Sequence, residues 1–201
     1  MTQTKQFRRS LRSRVLPALC RRIAKIGIRL EPFFIVHEGN VRQPPGISVE
    51  RFTFRFMQDT DFDSLIGFGS SETRDKKLLL DDGKRCFSAW DGSRLAAKMW
   101  CDFQSFSFGP QSRLLNDDEV YLFAAYSHPD YRGQGLAPAM RFHCYAALKK
   151  LGRSKFYSVT DYFNPAARRF KEKLGAKNEL LGLHVSLFNR WSQTFALRKY
   201  N

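Results

Sequence analysis

The chain has 201 residues, of which 43% are hydrophobic and 14% aromatic, and its formal net charge is +15. This length and apolar content suit one full core, so we expect one catalytic domain with an appendage. No apolar stretch approaches the roughly 18 to 20 residues that cross a bilayer, and the start of the chain lacks the apolar core of a secretory signal. The sequence therefore predicts a cytoplasmic protein and leaves peripheral membrane association open.

The cysteines are widely spaced, without a C-x-x-C motif and without clustered histidines. This spacing favours neither a zinc site nor a disulfide framework, so we expect no metal and predict free, mostly buried thiols. The cysteines are Cys20, Cys86, Cys101 and Cys144.

The positive charge is concentrated at the front of the chain, where residues 1–29 carry nine Lys or Arg and no acidic residue. Apolar residues recur there at helical spacing, which predicts a basic amphipathic helix, bent or divided at Pro17 and ending near Gly27. The apolar positions are Phe7, Leu11, Val15, Leu19, Ile23 and Ile26. We therefore expect residues 1–46 to be a basic helical extension and linker, and residues 47–201 to be the catalytic domain.

Several partners fit the helix of residues 5–29, and the sequence leaves them open. An anionic membrane surface would take the apolar stripe in its headgroup region and the arginines on its phosphates. An acidic protein, such as a carrier protein, fits the same charge. The segment also fits a helix that packs on the domain, or an organellar transit peptide. Nucleic acid is disfavoured because the chain contains no recognised nucleic-acid-binding module.

The body of the chain mixes strand and helix patterns, which predicts an α/β (α+β) domain. Phe52, Phe54 and Phe56 alternate with polar residues, as in a strand with one buried face, and Asp91-Gly92 between two apolar runs predicts a hairpin. The predicted strands cover residues 51–56, 85–90, 94–103, 119–126, 155–160 and 182–188, before an aromatic, basic tail. The predicted helices cover residues 59–68, 71–80, 136–150 and 164–174, and Gly175 ends the last one.

The most informative stretch is a glycine turn, Arg132-Gly133-Gln134-Gly135-Leu136-Ala137, which follows an apolar strand and opens a helix. The first N–H groups of a helix lack intrahelical partners and lie at the positive end of its dipole, so they bind phosphate oxygens. Glycine at positions 133 and 135 lets a bulky pyrophosphate approach the backbone. The turn therefore predicts a phosphate site, and a tight strand-to-helix connection with nothing bound is the alternative.

Two motifs carry a resemblance to a known family. The run from His128 to Ala137 resembles the acyl-CoA motif Q/R-x-x-G-x-G/A of the GNAT superfamily, the Gcn5-related N-acetyltransferases. The segment from Asn164 to Ala176 is similar to the second signature of that family, N-x-x-A-x-x-L-Y-x-x-x-G-F. The motifs occur in the family's order, and the resemblance covers about residues 50–190. The matched positions are Arg132, Gly135 and Ala137 in the first motif and Asn164, Ala167 and Gly175 in the second.

The resemblance implies a mixed, twisted sheet that splays between its fourth and fifth strands, is flanked by helices and holds an acyl-pantetheine arm in the cleft. It implies acetyl-CoA or another acyl-CoA as donor, and direct attack of a primary amine on the thioester. Main chain of the fourth strand near Tyr126 and Ser127 would polarise the carbonyl. Arg132 would close the turn on the pyrophosphate, and Asn164 would contact the pantetheine. The implied acyl-CoA-binding residues are Ser127, Arg132, Gly133, Gln134, Gly135, Leu136, Ala137 and Asn164.

Glu119, Asp161 and His128 are candidates for the base, although loop packing explains His128 more simply, and Lys171 is a candidate for the acid. Glu119 resembles in position the base of the histone-acetylating branch, and an apolar cleft would raise its pKa, whereas a solvated strand entrance is the alternative. Asp161, after the fifth strand, is expected on the substrate side of the cleft. Lys171 stands where the family often has its proton-donating tyrosine. Three possibilities stay open for the leaving thiolate. Lys171 donates the proton, a tyrosine elsewhere such as Tyr162 or Tyr126 donates it, or the thiolate leaves unaided.

The implied function is an N-acyltransferase, most often an N-acetyltransferase in this family. One alternative is an enzyme that uses a long acyl chain or an acyl carrier protein at a membrane surface, because positive charge steers an acidic partner. A second alternative is a non-catalytic acyl-CoA-binding domain, in which the missing tyrosine at position 171 marks a dead site.

Overall fold

The computed structural model describes residues 16–39, 50–66, 68, 83–108 and 111–200. These residues form an eight-stranded mixed sheet, a separate two-stranded hairpin and flanking helices. The strands are β1 (Ile28–Glu38), β2 (Phe52–Phe56), β3 (Lys84–Asp91), β4 (Arg94–Asp102), β5 (Ser105–Phe108), β6 (Gln111–Leu114), β7 (Glu119–Ser127), β8 (Lys155–Asp161), β9 (Lys177–Leu187) and β10 (Trp191–Lys199). The helices are α1 (residues 16–24), α2 (Leu136–Lys150) and α3 (Pro165–Lys173), with short 3-10 helices at Asp59–Leu65 and Pro129–Tyr131.

The strand order across the large sheet is β10-β9-β1-β8-β7-β4-β3-β2. Neighbouring strands are antiparallel except β7 and β8, which are parallel. Helix α2 buries a stripe of residues spaced four apart, as an amphipathic helix does when it packs on a sheet. This stripe joins buried residues of β3, β4 and β7 in the main core. Its members are Leu136, Met140, Cys144 and Leu148.

The parallel pair β7 and β8 separates along its length. The two strands are in register only from Glu119 opposite Lys155 to Tyr121 opposite Tyr157. Beyond that point β8 continues on β1, while β7 continues on β4 as far as Ser127. The sheet therefore opens into a V between the fourth and fifth strands of the predicted series, which confirms the splayed architecture expected from the family resemblance.

Residues 28–38 form strand β1, which lies between β8 and β9 and is antiparallel to both. We expected residues 1–46 to be a helical extension and linker, and the structure corrects this for residues 28–38. The physical reason is the run that contains Phe33, Phe34 and Val36, which are only 3–4% exposed. So dense an apolar run is stable where neighbours cover both of its faces. The sheet thus includes residues on both sides of the boundary that we placed after residue 46.

Helix α1 agrees with the predicted amphipathic helix over the residues that the structure describes. It is followed by a turn that ends at Gly27, where φ is 87° and where a Cβ atom would lie 2.5 Å from the ring of Phe188. Glycine is required at this position by both the conformation and the close approach. The predicted part of the helix before residue 16 lies outside the described residues.

Other expectations are confirmed or changed in detail. The hairpin around Asp91-Gly92 is present as β3 and β4, and the segment expected to be an aromatic tail is strand β10. The helix expected over residues 59–68 is a 3-10 helix at Asp59–Leu65. The helix expected over residues 71–80 lies outside the described part of the chain.

The four cysteines carry thiols rather than disulfides, as expected, and three of them are buried. No helix in the described ranges is long and apolar enough to cross a membrane.

Because β1 lies inside the sheet, two truncations should have opposite outcomes. Removal of residues 1–24 retains β1 and should leave a cooperative thermal unfolding transition. Removal of residues 1–39 deletes β1 and exposes the edges of β8 and β9, so we expect the cooperative transition to disappear. Circular dichroism during heating measures both variants. A 1–39 deletion that unfolds cooperatively at the temperature of the full chain would show that β1 is dispensable.

Candidate active site

The glycine turn has the backbone that a phosphate site requires. Gly133 and Gly135 each have a φ of 76°, and Gly135 caps α2. The Ala139 N–H donates to the Gly135 carbonyl, so the N–H groups of Leu136 and Ala137 precede the hydrogen-bond ladder of the helix. A Cβ atom at Gly133 would meet no atom within 4 Å, so this glycine borders open space. The arrangement fits a pyrophosphate, because the N–H groups converge at the positive end of the helix dipole.

Side chains of the turn hold it against the end of β7. Arg132 folds back and donates its Nε–H to the carbonyl of Ser127 at 3.1 Å. Gln134 donates its Nε2–H to the carbonyl of Asp130 at 2.8 Å. The side-chain amide of Gln134 and the carbonyl of Ser127 therefore form hydrogen bonds within the loop. A ligand of Gln134 would be bound by its main-chain N–H.

Strand β7 contains a bulge in its splayed half. Trp100 of β4 is opposite Phe123 and Lys98 is opposite Tyr126, so two residues of β7 face one residue of β4. Ala124, within the bulge, has a φ of 48°. A bulge of this kind turns backbone groups out of the regular ladder. It lies just before Tyr126, where we expected main chain to polarise a thioester.

Asn164 caps helix α3, and Pro165 follows it at the first helical position. The Asn164 Oδ1 accepts the N–H of Ala167 at 2.9 Å. This contact explains the asparagine of the second motif as a helix cap. Because Oδ1 serves the helix, a pantetheine contact by Asn164 would use its amide NH2 group.

Glu119 lies buried at the closed end of the V, where β7 still pairs with β8. Its carboxylate accepts hydrogen bonds from Arg113 of β6 at 2.6 Å and from the Asn116 N–H at 3.0 Å. The hydrogen bond from Arg113 is the main cause that lowers the pKa of Glu119 to about 2. A carboxylate with that pKa is a weak base at neutral pH, so this environment disfavours the expected role of Glu119 as general base. We expected apolar surroundings that raise the pKa of Glu119, but the carboxylate instead contacts the guanidinium of Arg113, which lowers the pKa.

Asp161 is exposed at the end of β8, and its Oδ1 accepts the Phe163 N–H at 2.6 Å. It borders a pocket of about 400 Å³ whose other walls come mainly from α1 and β1. The N-terminal segment therefore helps to form the surroundings of Asp161, which the motifs alone did not indicate. Residues of this pocket include Pro17, Cys20, Ala24, Leu30 and Pro32.

Lys171 belongs to a buried network of charged and hydroxyl groups. From α3, its ammonium donates to Ser158 Oγ at 2.6 Å and to the hydroxyl of Thr160, both on the splayed half of β8. Glu38 of β1 lies 3.5 Å from the Lys171 ammonium and 3.3 Å from the guanidinium Nε of Arg141 in α2. All five residues are at most 5% exposed. The network thus joins β1 to α2, to α3 and to the splayed half of β8.

One buried carboxylate thus faces two buried cations, and the pKa values follow from this imbalance. Burial would raise the pKa of Glu38, but Arg141 and Lys171, with hydrogen bonds from Ser158 and Tyr145, outweigh burial and lower it. Burial lowers the pKa of Lys171 to about 8, because the attraction of Glu38 opposes burial only in part and repulsion from Arg141 adds to it. Lys171 is therefore the group of the network that loses its proton most easily near neutral pH.

Sequence reasoning found Lys171 but not its partners Glu38 and Arg141. Neither partner lies in a recognised motif. A usable signal was the apolar run of residues 32–36 ending near an acidic residue, which is the pattern of a buried strand that carries one charge into the core.

The comparison with known families identifies the class of protein. The family model described as the acetyltransferase (GNAT) family matches residues 50–176. The chain therefore belongs to the GNAT family. Strand β1 and helix α1 lie outside the matched range.

Solved structures share the fold. The glucosamine N-acetyltransferase region of a fungal multi-domain GH3 β-N-acetylglucosaminidase has a TM-score of 0.60 at 15% identity, over 87% of this chain and 23% of that one. A GNAT-family protein from Novosphingobium aromaticivorans has a TM-score of 0.55 at 18% identity, over 80% and 66% of the two chains. A Drosophila protein has a TM-score of 0.55 at 13% identity, over 85% and 57%. The chain thus spans less than two thirds of each neighbour's length. No curated protein sequence matches it.

Glu38→Gln should destabilise the protein by about 3–5 kcal/mol at neutral pH, because two buried cations lose their only buried carboxylate partner in the network. Urea unfolding measures this, with the exposed Glu31→Gln of the same strand as the control, expected within about 0.5 kcal/mol of wild type. The lowered pKa means that the Glu38 contribution is complete above its unfolded pKa of about 4.3 and is lost as pH falls through the folded value. Equal unfolding midpoints for both variants would contradict the network.

Proposed function

We propose that the protein is an N-acyltransferase that moves an acyl group, most simply acetyl, from acyl-CoA to a primary amine. The observation that carries the proposal is the position of the glycine turn, which connects the splayed half of β7 to the first turn of α2. A pyrophosphate bound at this turn would send the acyl arm along β7 into the opening of the V. Membership of the GNAT family supports the same donor.

The proposed reaction is a direct transfer. The amine nitrogen attacks the thioester carbonyl, a C–N bond forms, the C–S bond breaks, the amine loses one proton and the thiolate accepts one. Main chain at the Ala124 bulge would stabilise the developing oxyanion, because irregular backbone in a strand directs N–H groups away from the sheet ladder. Asp161 at the end of β8 is the proposed carboxylate on the amine side, since Glu119 is held as a weak base.

Lys171 is the proposed proton donor to the leaving thiolate. Its ammonium contacts hydroxyls on the splayed half of β8, and its pKa of about 8 leaves it mostly protonated at neutral pH. A donor with this pKa matches a thiol of reference pKa near roughly 8.5, which is the condition for efficient transfer in either direction.

The direct test is incubation of the full chain with acetyl-CoA, with long-chain acyl-CoA and with acylated carrier protein, each with a panel of primary amines, followed by mass spectrometry. We expect an amide product that carries the acyl mass. Products from only the long-chain or carrier donors would identify the surface-bound alternative. Binding of acyl-CoA without product from any amine would contradict the proposal and favour a non-catalytic binding domain.

If Lys171 is the donor, kcat should fall as pH rises through about 8, because the ammonium is then lost. Lys171→Met should remove that decline. The exposed Lys173→Met, two positions along the same helix, should keep it. The ratio of wild-type to variant kcat between pH 6 and 10 separates this effect from titration of the amine substrate. A ratio that does not change with pH would exclude Lys171 as the donor.

If the pyrophosphate lies on the turn, Gly135→Glu should reduce acyl-CoA affinity by at least about a hundredfold, because it adds a side chain and a negative charge at the N-cap of α2, where the phosphate would bind. Gly152→Glu is a matched control, since Gly152 has a φ of 78°, close to the 76° of Gly135, and open space around its Cβ position. Both variants carry the same charge and similar strain of about 1–2 kcal/mol. Calorimetry with CoA measures the affinity, and equal affinity of the two variants would refute the assignment.

A further inference from the structure

Exposed apolar side chains are concentrated in two segments that meet at one corner of the molecule. Of the ten large hydrophobic residues that are exposed in the described ranges, seven lie within residues 16–29 and 187–200. We call these two segments the basic corner. The seven are Leu16, Leu19, Ile26, Phe188, Trp191, Phe195 and Leu197, and they are 44–65% exposed.

The two segments of the corner are in contact. Phe188, at the tip of the β9–β10 hairpin, donates its N–H to the Gly27 carbonyl at 2.6 Å, and its ring lies against Gly27. Leu187 is opposite both Ile28 and Trp191 in the sheet. The end of α1 and the hairpin tip therefore form one continuous surface, with Ile26, Phe188 and Trp191 around the junction.

The corner is also strongly basic. It contains seven Lys or Arg and no acidic residue, and all seven are exposed. The cations alternate closely with apolar residues, as at Arg190 beside Trp191 and at Leu197 beside Arg198. The seven are Arg21, Arg22, Lys25, Arg29, Arg190, Arg198 and Lys199.

Only part of the apolar surface of α1 packs on the domain. Pro17, Cys20 and Ala24 border the pocket next to β1, and Leu16 and Leu19 point away from it. The inward face explains why the helix is attached to the sheet. The outward face has no such explanation within the described part of the chain.

We propose that the basic corner docks on an anionic lipid bilayer. Protruding apolar side chains enter the boundary between headgroups and acyl chains, while cations on the same short segments bind lipid phosphates. The hairpin adds three cations and four apolar side chains that the N-terminal helix alone does not have. The proposal does not depend on acyl transfer.

Two other occupants fit the corner less well. A second copy that paired antiparallel along the whole of β10 would bring Lys199 of one copy next to Arg190 of the other at both ends, and like charges oppose such edge pairing. An acidic protein would account for the cations of the corner but not for the seven exposed apolar side chains among them, which a bilayer interface does account for.

Tryptophan fluorescence provides a selective readout. The chain has three tryptophans, and Trp90 and Trp100 are at most 5% exposed, whereas Trp191 is 48% exposed. Vesicles of phosphatidylcholine with phosphatidylglycerol should shift the emission to shorter wavelength, and vesicles of phosphatidylcholine alone should not. Trp191→Phe should abolish the shift and retain sedimentation with the anionic vesicles.

Paired variants separate docking from general attraction of a basic protein. Leu19→Ser with Phe195→Ser should lower vesicle partitioning at least about tenfold, because apolar area leaves the interface. Ile66→Ser with Leu114→Ser removes apolar residues elsewhere that are at least as exposed as Leu19 and Phe195, and it should leave partitioning unchanged.

A second pair of double variants removes positive charges, one inside the basic corner and one outside it. Lys25→Gln with Arg190→Gln should lower partitioning about twenty-fivefold, or roughly fivefold per cation. Lys149→Gln with Lys150→Gln removes the same charge from the end of α2 and should change it by less than about twofold.

Four results would overturn the proposal. The first is no emission shift with anionic vesicles, and the second is an equal loss of partitioning in corner and control variants. The third is a dimer, measured by light scattering, that the corner variants dissociate while vesicle binding is unchanged. The fourth is an emission shift with polyglutamate and none with vesicles, which would identify an acidic protein as the occupant.

Discussion

The interaction on which the structure depends most is the buried carboxylate of Glu38 between Arg141 and Lys171. It ties the N-terminal strand to the helix that follows the glycine turn and to the helix of the second family motif. Buried charges are costly unless they are paired, so the three residues constrain one another's positions. Arg141 of α2 and Lys171 of α3 both pair with this carboxylate. The positions of these two helices relative to each other are therefore fixed. A residue far from either motif thus helps to set the geometry of the cleft.

The sequence predicted the elements whose signals are local. Alternation, the Asp-Gly turn and the glycine turn located β2, β3, β4, β7 and α2, because each depends on neighbouring residues. It did not place β1 between β8 and β9, because the partners of β1 lie 118 to 159 residues away along the chain, from Glu38–Phe156 to Ile28–Leu187, and a local pattern does not identify partners. The glycines predict a phosphate site through the backbone conformation they allow, and both adopt a positive φ. The low pKa of Glu119 was not predicted, because the cation that causes it, Arg113, comes from a hairpin whose position no motif predicted.

The cleft and the basic corner share one structural element. Strand β1 brings Glu38 to the core at one end and leads from α1 and Gly27 at the other. The segment before the family-matched region is therefore both a part of the sheet and the base on which α1 and the hairpin meet. The proposed donor site and the proposed bilayer surface therefore lie on one sheet, and only the turn of residues 25–27 separates α1 from β1.

The central claim is that acyl-CoA binds through the backbone of the glycine turn. The most direct measurement is amide NMR of the full chain during titration with CoA. The account predicts that the largest chemical-shift changes fall on Gly133, Gln134, Gly135, Leu136 and Ala137, whose N–H groups would meet the pyrophosphate. Large changes confined to residues 187–200, with no change at the turn, would contradict it.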